Sequence, residues 1–244
     1  MKLNLENKNI IVTGGNGFIG REIIKSLLEE KANLISSCSS EEKSVELNHQ
    51  YENQVKWHKC DFSLEKDIVN YINYIKQHMV TIDGVVNCVG CIEPQYIRWM
   101  TKEQWSKVIN INLSGSFYLL RECSKYMNKR ECSSFVSISS ISDLHGSPTH
   151  VNYAASKAGL NAMTVVAAKE MGPMGIRVNT ISAGPLDGGT LNSPERIKKQ
   201  MKRDIPLRRL GNAGDVANLA CFLLSERSSF ITGQSYVVDG GLTL

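Results

Sequence analysis

Short apolar runs alternate with longer amphipathic stretches along the whole chain. Seven runs have the length and composition of buried strands. They lie at residues 9–12, 33–37, 55–58, 82–87, 135–139, 177–182 and 235–238. Between them, apolar residues recur at intervals of three and four, which predicts helices. The first helix carries the stripe Ile19, Ile23, Ile24, Leu27 and Leu28, and further helices are expected near residues 67–78, 103–127, 152–171 and 215–224.

This alternation of strands and helices predicts an α/β fold of the doubly wound type. We expect a mostly parallel, seven-stranded sheet with helices on both faces. In such a sheet, ligands bind beyond the carboxyl ends of the strands. The residues that directly follow each strand are therefore the candidates for chemistry.

Composition narrows the class of protein. The 244 residues contain no internal repeat and no linker, so we expect a single domain, residues 1–244. A net charge of +4 does not indicate a nucleic-acid partner, and no apolar run is long enough to predict a membrane span. The seven cysteines are odd in number and scattered, which is typical of free thiols in the cytoplasm. Histidines and cysteines show no metal-ligand spacing, so we expect no metal site.

A glycine-rich turn, TGGNGFIG at residues 13–20, follows the first predicted strand and leads into a helix. Glycine permits positive φ and lets a pyrophosphate approach the main chain. The helix N-terminus adds N–H groups and a partial positive charge. A purely structural turn is the alternative, but the strand–turn–helix context favours dinucleotide binding. The predicted cofactor-binding residues of this turn are Gly14, Asn16, Gly17, Phe18, Ile19 and Gly20.

Two other strand ends add to the predicted cofactor site. Asp61 and Phe62 follow the third strand, where a carboxylate can accept a hydrogen bond from an adenine amino group. For Asp61, a helix or turn cap is the alternative. Asn87 and Gly90 end the fourth strand, and a small, open backbone there leaves room for the adenosine half of the cofactor.

The end of the second strand bears on the choice of cofactor. NAD-binding sheets usually carry an acidic residue there for the ribose 2′-hydroxyl. This chain has SSCSS at residues 36–40 and no carboxylate before Glu41. The hydroxyls of Ser37 and Ser39 can receive a 2′-phosphate, which favours NADP over NAD, although no arginine stands in this strand.

Tyr153 and Lys157 are four residues apart at the start of a predicted helix, so their side chains share one face. A free tyrosine has a pKa near 10. A neighbouring ammonium, together with the positive ring of an oxidised nicotinamide, is expected to lower that pKa. The pair can then serve as a general acid for carbonyl reduction and as a general base for alcohol oxidation. An ordinary surface pair is the alternative.

Ser140 and Asn112 complete the candidate catalytic set. Ser140 ends the fifth predicted strand, where its hydroxyl can hold a substrate oxygen beside Tyr153. Asn112 lies within a long predicted helix, where asparagine is unfavourable, and its amide is expected to bind water and to extend a proton relay past Lys157. A turn serine and a solvated asparagine are the alternatives. All of these residues fall at or near positions that an open α/β sheet offers to ligands.

These motifs resemble those of the short-chain dehydrogenase/reductase family over essentially the whole chain. The matching pieces are residues 13–20, Asp61, residues 87–90, Asn112, Ser140, Tyr153-x-x-x-Lys157, residues 205–211, 231–234 and 238–241. The resemblance implies a single Rossmann-type domain, usually in a homotetramer. It assigns Asn112, Ser140, Tyr153 and Lys157 to catalysis, and it lets Lys157 also grip the nicotinamide ribose. Cofactor contacts are also expected from Tyr153, Gly184 and Pro185.

Two departures from the family pattern affect the expected chemistry. Phe18 occupies the place of the usual middle glycine, and Ser182-Ala183-Gly184-Pro185 replaces the usual Pro-Gly after the sixth strand. The second form is similar to enoyl reductases of the same superfamily. Those enzymes space tyrosine and lysine more widely, so the spacing in this chain favours carbonyl chemistry.

Among family members, the 3-oxoacyl carrier-protein reductases are the most similar group. The predicted reaction is NADPH-dependent reduction of a 3-oxoacyl thioester or a related ketone. The two positions where those enzymes often carry basic docking residues read Glu131 and Met174, although Lys129 and Arg130 are nearby, so a carrier-protein partner stays open.

A substrate lid is expected around residues 185–209. Its basic part, residues 194–209, can attract an anionic thioester, with a solvated helix face as the alternative. Two other functions also stay open: a sugar or polyol dehydrogenase would use the same residues, and a non-catalytic dinucleotide sensor would need only the glycine turn.

Overall fold

Seven parallel strands form one sheet in the computed structural model, which describes residues 3–127, 133–188 and 194–244. In chain order the strands are β1 (Asn9–Thr13), β2 (Asn33–Cys38), β3 (Val55–Lys59), β4 (Gly84–Asn87), β5 (Ser134–Ser140), β6 (Arg177–Ala183) and β7 (Ser235–Val238). Across the sheet they are ordered β3-β2-β1-β4-β5-β6-β7. The predicted doubly wound sheet is confirmed.

Helices connect the strands. They are α1 (Phe18–Glu29), α2 (Glu41–Gln50), α3 (Glu65–His78), α4 (Lys102–Ile109), α5 (Gly115–Ser124), α6 (Ser142–His145), α7 (Val151–Met171), α8 (Glu195–Asp204) and α9 (Ala213–Leu224). Among the residues described, no helix combines the length and the apolar character that a membrane span needs.

Two hydrophobic cores lie on opposite faces of the sheet, because successive side chains of a strand point in opposite directions. In β1, Ile10 and Val12 belong to the core beneath α1 and α9. Ile11, between them, belongs to the other core, beneath α3, α5 and α7. Burial on both faces explains why the strands read as continuous apolar runs.

The predicted single helix over residues 103–127 is wrong, because the segment is divided. A wider, π-helical segment, Asn110–Ser114, separates α4 from α5. This turn places Asn112 inward, with no exposed surface. Gly115 begins α5 where a Cβ would stand 2.3 Å from the carbonyl oxygen of Phe62, so the segment packs closely against the loop after β3.

Other differences from the predicted elements are small. Helices α2, α6 and α8 were absent from the predicted helices, and β4 begins at Gly84 instead of at residue 82. The first four residues of the expected lid and its C-terminal part are described, whereas residues 189–193 lie outside the described part of the chain.

The connections reverse direction between β1 and β4, which are neighbours in the centre of the sheet. Here the chain leaves β1 toward one face and leaves β4 toward the other, so a crevice opens at the carboxyl ends of the two strands. Thr13 and Asn87, the last residues of these strands, stand opposite each other. The glycine turn and residues 87–90 therefore meet at this crevice.

Candidate active site

The glycine turn is held tightly against the end of β4. Gly14 has a φ of +64°, and a Cβ on it would stand 3.1 Å from the carbonyl carbon of Cys88. Its N–H donates to the hydroxyl of Ser37 at 3.0 Å, and its carbonyl accepts from the N–H of Gly17. Positive φ and close backbone contact together restrict position 14 to glycine.

Gly20 brings the first turn of α1 against the glycine turn. A Cβ on Gly20 would stand 2.4 Å from the carbonyl oxygen of Gly14 and 2.7 Å from the Cα of Gly15. Helix α1 begins at Phe18, and Gly17 before it provides no side-chain cap. The N–H groups of the first turn therefore face the crevice as anion donors. These residues fit the pyrophosphate of a dinucleotide.

The side chain of Asn87 has a structural role, which leaves its backbone for the predicted contact with the cofactor. Its side chain is buried. Its Oδ1 accepts from the hydroxyl of Thr13 at 2.7 Å, and its Nδ2 donates to the hydroxyl of Ser116 at 2.7 Å. Residue 87 thus ties β1, β4 and α5 together, and the surface facing the crevice is the backbone that continues to Gly90.

Phe18 and Ile19 occupy the first turn of α1 in different ways. Phe18 is partly exposed, and a Cβ placed on Gly188 would stand 2.6 Å from its ring. The ring thus reaches the loop after β6 and flanks the crevice. Ile19 packs against the core beneath α1. The backbone oxygen of Asn16 accepts from Nε of Arg21.

In the loop after β3, Asp61 caps a turn, which is the alternative to adenine binding that its sequence left open. Oδ1 of Asp61 accepts from the N–H of Ser63 at 2.9 Å and from its hydroxyl at 2.7 Å, as a turn cap does. Asp61 is exposed, whereas the ring of Phe62 is buried against Tyr71. With its ring buried, Phe62 offers its backbone to a cofactor, and its predicted contact stays a prediction.

The two predicted phosphate-binding serines at the end of β2 lie in different environments. Ser37 is buried, and its hydroxyl accepts from Gly14, so it supports the glycine turn. Ser39 is exposed just beyond the strand. Ser39 is thus the more accessible of the two hydroxyls, and the contact of both with a 2′-phosphate stays a prediction.

Tyr153, Lys157 and Ser140 come together at the carboxyl end of β5. Ser140 is the last residue of β5, and its side chain lies near enough to the phenol of Tyr153, at the start of α7, to lower the pKa of that phenol. One turn further on, Nζ of Lys157 donates to the carbonyl oxygen of Ile138 at 2.8 Å and lies 5.6 Å from the centre of the Tyr153 ring. A Cβ on Gly90 would stand 3.5 Å from that Nζ, so the trio borders the crevice.

Burial is the largest influence on the pKa values of Tyr153 and Lys157. Burial raises the pKa of Tyr153, and the hydrogen bond with Ser140 lowers it by less. Burial also lowers the pKa of Lys157 to about 8. In the protein alone, the loss of water around the phenol dominates, and the predicted lowering, which needs both the ammonium and an oxidised nicotinamide beside the phenol, stays a prediction.

The amide of Asn112 is bound by protein groups. Its Oδ1 accepts from the N–H of Cys91 at 2.8 Å, and its Nδ2 donates to the carbonyl of Cys91 and to the hydroxyl of Ser156. These bonds give the amide a positioning role, and its expected binding of water stays a prediction. Asn112 fixes the chain after Gly90 against α7, which carries Tyr153 and Lys157.

Gly184 and Pro185 lie at the carboxyl end of β6, where they lead away from the sheet. The N–H of Gly184 donates to the carbonyl of Val238, and a Cβ on Gly184 would stand 2.6 Å from Asp239. The carbonyl of Pro185 accepts from the N–H of Gly211. Both residues are thus fixed by the chain that follows α8 and β7.

Thr13, Ser116 and Ser156 were not among the predicted site residues. Thr13 and Ser116 hold Asn87, and Ser156 holds Asn112. Thr13 and Ser156 lie inside motifs that the sequence showed, but a hydroxyl in a motif gives no sign of its partner. Ser116 carried no such signal.

Comparison with known proteins places this fold and site in a family. A family model described as enoyl-(acyl carrier protein) reductase matches residues 16–243. The 3-oxoacyl-[acyl-carrier-protein] reductase FabG of Chlamydia trachomatis is 35% identical over 243 residues, which are 98% of each chain. The FabG of Thermotoga maritima is 33% identical over 246 residues, and that of Aquifex aeolicus is 32% identical over 247; each match covers 99% of this chain and 100% of the relative.

A parallel sheet with a dinucleotide crevice and an adjoining Tyr–Lys pair is the architecture of an NAD(P)-dependent oxidoreductase. The chain belongs to the short-chain dehydrogenase/reductase family. The resemblance predicted from the sequence is thereby confirmed.

Proposed function

We propose that the protein reduces a 3-oxoacyl thioester, or a closely related ketone, to the secondary alcohol with NADPH. The observation that supports this most is the juxtaposition of Ser140, Tyr153 and the ammonium of Lys157 at the edge of the crevice. A bound dihydronicotinamide supplies the hydride that goes to the carbonyl carbon. Tyr153 donates its proton to the carbonyl oxygen, and Ser140 holds that oxygen by a hydrogen bond.

The pKa directions favour reduction over oxidation. Because burial raises the pKa of Tyr153, the phenol keeps its proton at neutral pH, which is the state that a proton donor needs. Lys157, with a pKa of about 8, is mostly charged at pH 7 and can bind the nicotinamide ribose. Asn112, in this proposal, keeps the chain around Gly90 in place beside both groups.

The substrate class rests on the relatives, which are named for 3-oxoacyl groups on acyl carrier protein. Helix α8 has basic side chains along an exposed surface, which suits an anionic thioester. Lys198 of that helix already pairs with Asp187 at 3.0 Å. Met174 is exposed beyond α7, whereas Lys129, Arg130 and Glu131 lie outside the described residues. A carrier protein and a coenzyme A thioester are both consistent with this surface.

The proposal is tested by following NADPH oxidation with four substrates: a 3-oxoacyl thioester, a 2-enoyl thioester, an unactivated ketone and a keto-sugar. We expect the 3-oxoacyl thioester to give the highest kcat/KM. The highest value with the enoyl thioester would support the chemistry of the family model's description, and the highest with the keto-sugar would support a polyol dehydrogenase. Measurable NADPH binding with no turnover of any ketone would indicate a sensor.

NADPH is proposed over NADH because of the end of β2. Ser39 offers an exposed hydroxyl where NAD-binding sheets carry a carboxylate. Directly after it, Ser40 caps α2, whose N-terminus attracts an anion. Glu41 and Glu42 in the first turn of that helix oppose a phosphate, so the preference needs a direct test.

Ser39→Asp is expected to raise the KM for NADPH at least about tenfold, because a carboxylate would face the 2′-phosphate. The KM for NADH should stay the same or fall. Asn53→Asp adds the same charge beyond the other end of α2 and serves as the control. An equal loss of affinity for both cofactors would contradict the placement of the 2′-phosphate at Ser39.

The pH dependence of the enzyme should reflect Lys157. We expect kcat/KM for the nicotinamide cofactor to fall as the pH rises through about 8, because only the charged amine, which predominates below that pKa, binds the ribose strongly. In Lys157→Arg the residual activity should lose this fall, since a guanidinium stays charged. A wild-type profile that is flat between about pH 7 and pH 9.5 would exclude this role.

We also propose a homotetramer, as the family resemblance implies. Along α7, Ala158, Ala162, Val165 and Val166 are exposed, and such small apolar side chains allow helices of two subunits to pack closely. Ala154 and Ala155, by contrast, are half-buried within the protein's own structure. Sedimentation at micromolar concentration should give the mass of four chains. A monomer would contradict the proposal.

A further inference from the structure

Ser140 has a second hydroxyl partner that the proposed mechanism does not use. The hydroxyls of Ser140 and Ser142 are 2.9 Å apart, and the N–H of Ser142 donates to Oγ of Ser140 at 3.2 Å. The side chain of Ser140 also interacts with the phenol of Tyr153 and lowers its pKa. Either hydroxyl of the Ser140–Ser142 pair can donate to the other, so Ser142 is linked directly to the side chain that meets Tyr153.

Ser142 begins α6, a single helical turn that is held at one point to α7. Nδ2 of Asn161 donates to Oδ2 of Asp143 at 2.6 Å. Asn161 follows Lys157 by one turn of α7, so both lie on the same side of that helix. Its Nδ2 also approaches the hydroxyl of Ser182 in β6 at 3.5 Å. Asp143 is therefore tied to the helix that carries Tyr153.

In the part of the chain that the structure describes, the tie between α6 and α7 is the hydrogen bond between Asn161 and Asp143. Among the described residues, neither Oδ1 of Asp143 nor Oδ1 of Asn161 has a hydrogen-bond partner. The other residues of the turn, Leu144 and His145, are exposed. A charge-assisted bond at 2.6 Å is thus the side-chain bond that ties α6 to α7, in addition to the bonds between Ser142 and Ser140.

We propose that Asp143 and Asn161 are positioning residues which, through Ser142, hold the hydroxyl of Ser140 where it meets the substrate oxygen and Tyr153. This inference rests on the proposed role of Ser140. Linked hydrogen bonds strengthen one another, so a displaced α6 would weaken the interaction of Ser140 with Tyr153 as well.

The test compares Asn161→Asp with the exchanged pair Asp143→Asn/Asn161→Asp. In the single variant two carboxylates face each other and repel, so we expect kcat to fall about tenfold or more while NADPH affinity stays the same. The exchanged pair again has one amide and one carboxylate, and should recover most of the lost activity. No recovery, with both variants folded, would overturn the proposal.

A second measurement separates positioning from a general loss of structure. If the pair acts through Ser140, Asn161→Asp should cause no further loss of kcat in a Ser140→Ala background. In the direction of alcohol oxidation, the acidic limb of the kcat profile should move to higher pH in Asn161→Asp, because the phenolate loses a donor. An additive loss in the Ser140→Ala background, or an unmoved profile, would mean that the pair does not act on Ser140.

Amide hydrogen exchange tests the anchoring of α6 independently of the proposed function. Amides of residues 141–146 should exchange faster in Asn161→Asp and return to the wild-type rate in the exchanged pair, whatever the substrate is. Unchanged exchange would refute the anchoring of α6. Faster exchange combined with full activity of Ser140→Ala would leave the anchor standing and would refute the role of Ser140 on which the proposal depends.

Discussion

Tyr153→Phe should lower kcat for ketone reduction by about a hundred- to ten-thousandfold, which is the usual effect of removing a positioned general acid. The phenol hydroxyl is the group that Ser140 contacts and that lies beside the ammonium of Lys157. Phenylalanine keeps the ring, so α7 and the crevice should be unchanged. Stopped-flow or steady-state NADPH oxidation gives kcat, and fluorescence titration gives the Kd for NADPH.

The Kd for NADPH should change by less than about threefold in this variant, since the ring itself is kept. Ser140→Ala is a matched comparison: it removes a hydrogen bond to the substrate oxygen but leaves the proton donor, so its loss of kcat should be smaller. A Tyr153→Phe enzyme that kept wild-type kcat would remove Tyr153 from the mechanism. An equal loss of cofactor binding would assign it a binding role instead.

Gly20→Ala is expected to abolish cofactor binding at micromolar concentration and to lower the free energy of unfolding by about 1–3 kcal/mol. The new Cβ would stand 2.4 Å from the carbonyl oxygen of Gly14 and 2.7 Å from the Cα of Gly15. Both neighbours are backbone atoms, so relief requires the glycine turn to move away from α1. The N–H groups that receive the pyrophosphate would then no longer converge.

Gly172→Ala provides the control, because a Cβ there meets no atom within 4 Å and its φ of −55° suits alanine. Its affinity for the cofactor should stay within about twofold of the wild-type value. Its free energy of unfolding should stay within about 0.5 kcal/mol of the wild-type value. Urea unfolding and NADPH titration measure the two quantities. Normal NADPH binding by Gly20→Ala would show that the glycine turn does not hold the pyrophosphate.

The sheet and the reactive pair were predictable because their signals are local. Continuous apolar runs predict buried strands, and a spacing of four puts Tyr153 and Lys157 on one face. Helix α2 was missed because its polar sequence shows little apolar periodicity, although Ser40 caps it. The π-helical segment at Asn110–Ser114 was not predicted, because its formation depends on the conformation of the neighbouring helical turns and leaves no sign in the amino-acid composition.

The roles of individual side chains were less predictable, since they depend on partners that are distant in sequence. Asn87 is held by Thr13, 74 residues away, and Asn112 by Ser156, 44 residues away. The same holds for Ser37, whose hydroxyl accepts from the N–H of Gly14, 23 residues away. The direction of the Tyr153 pKa also depends on burial, which a spacing between two residues does not reveal.

The hydroxyl and amide contacts of Thr13, Asn87 and Ser116 have a consequence for ligand entry. They join the two central strands to each other and to the helix behind them, so the walls of the crevice are already at their working separation once the chain has folded. A dinucleotide then meets a slot that need not open or close around it, and little of its binding free energy is spent on rearranging the walls. Removing the Thr13 hydroxyl should therefore slow association with the cofactor more than it hastens release, since a slackened slot must first regain its width.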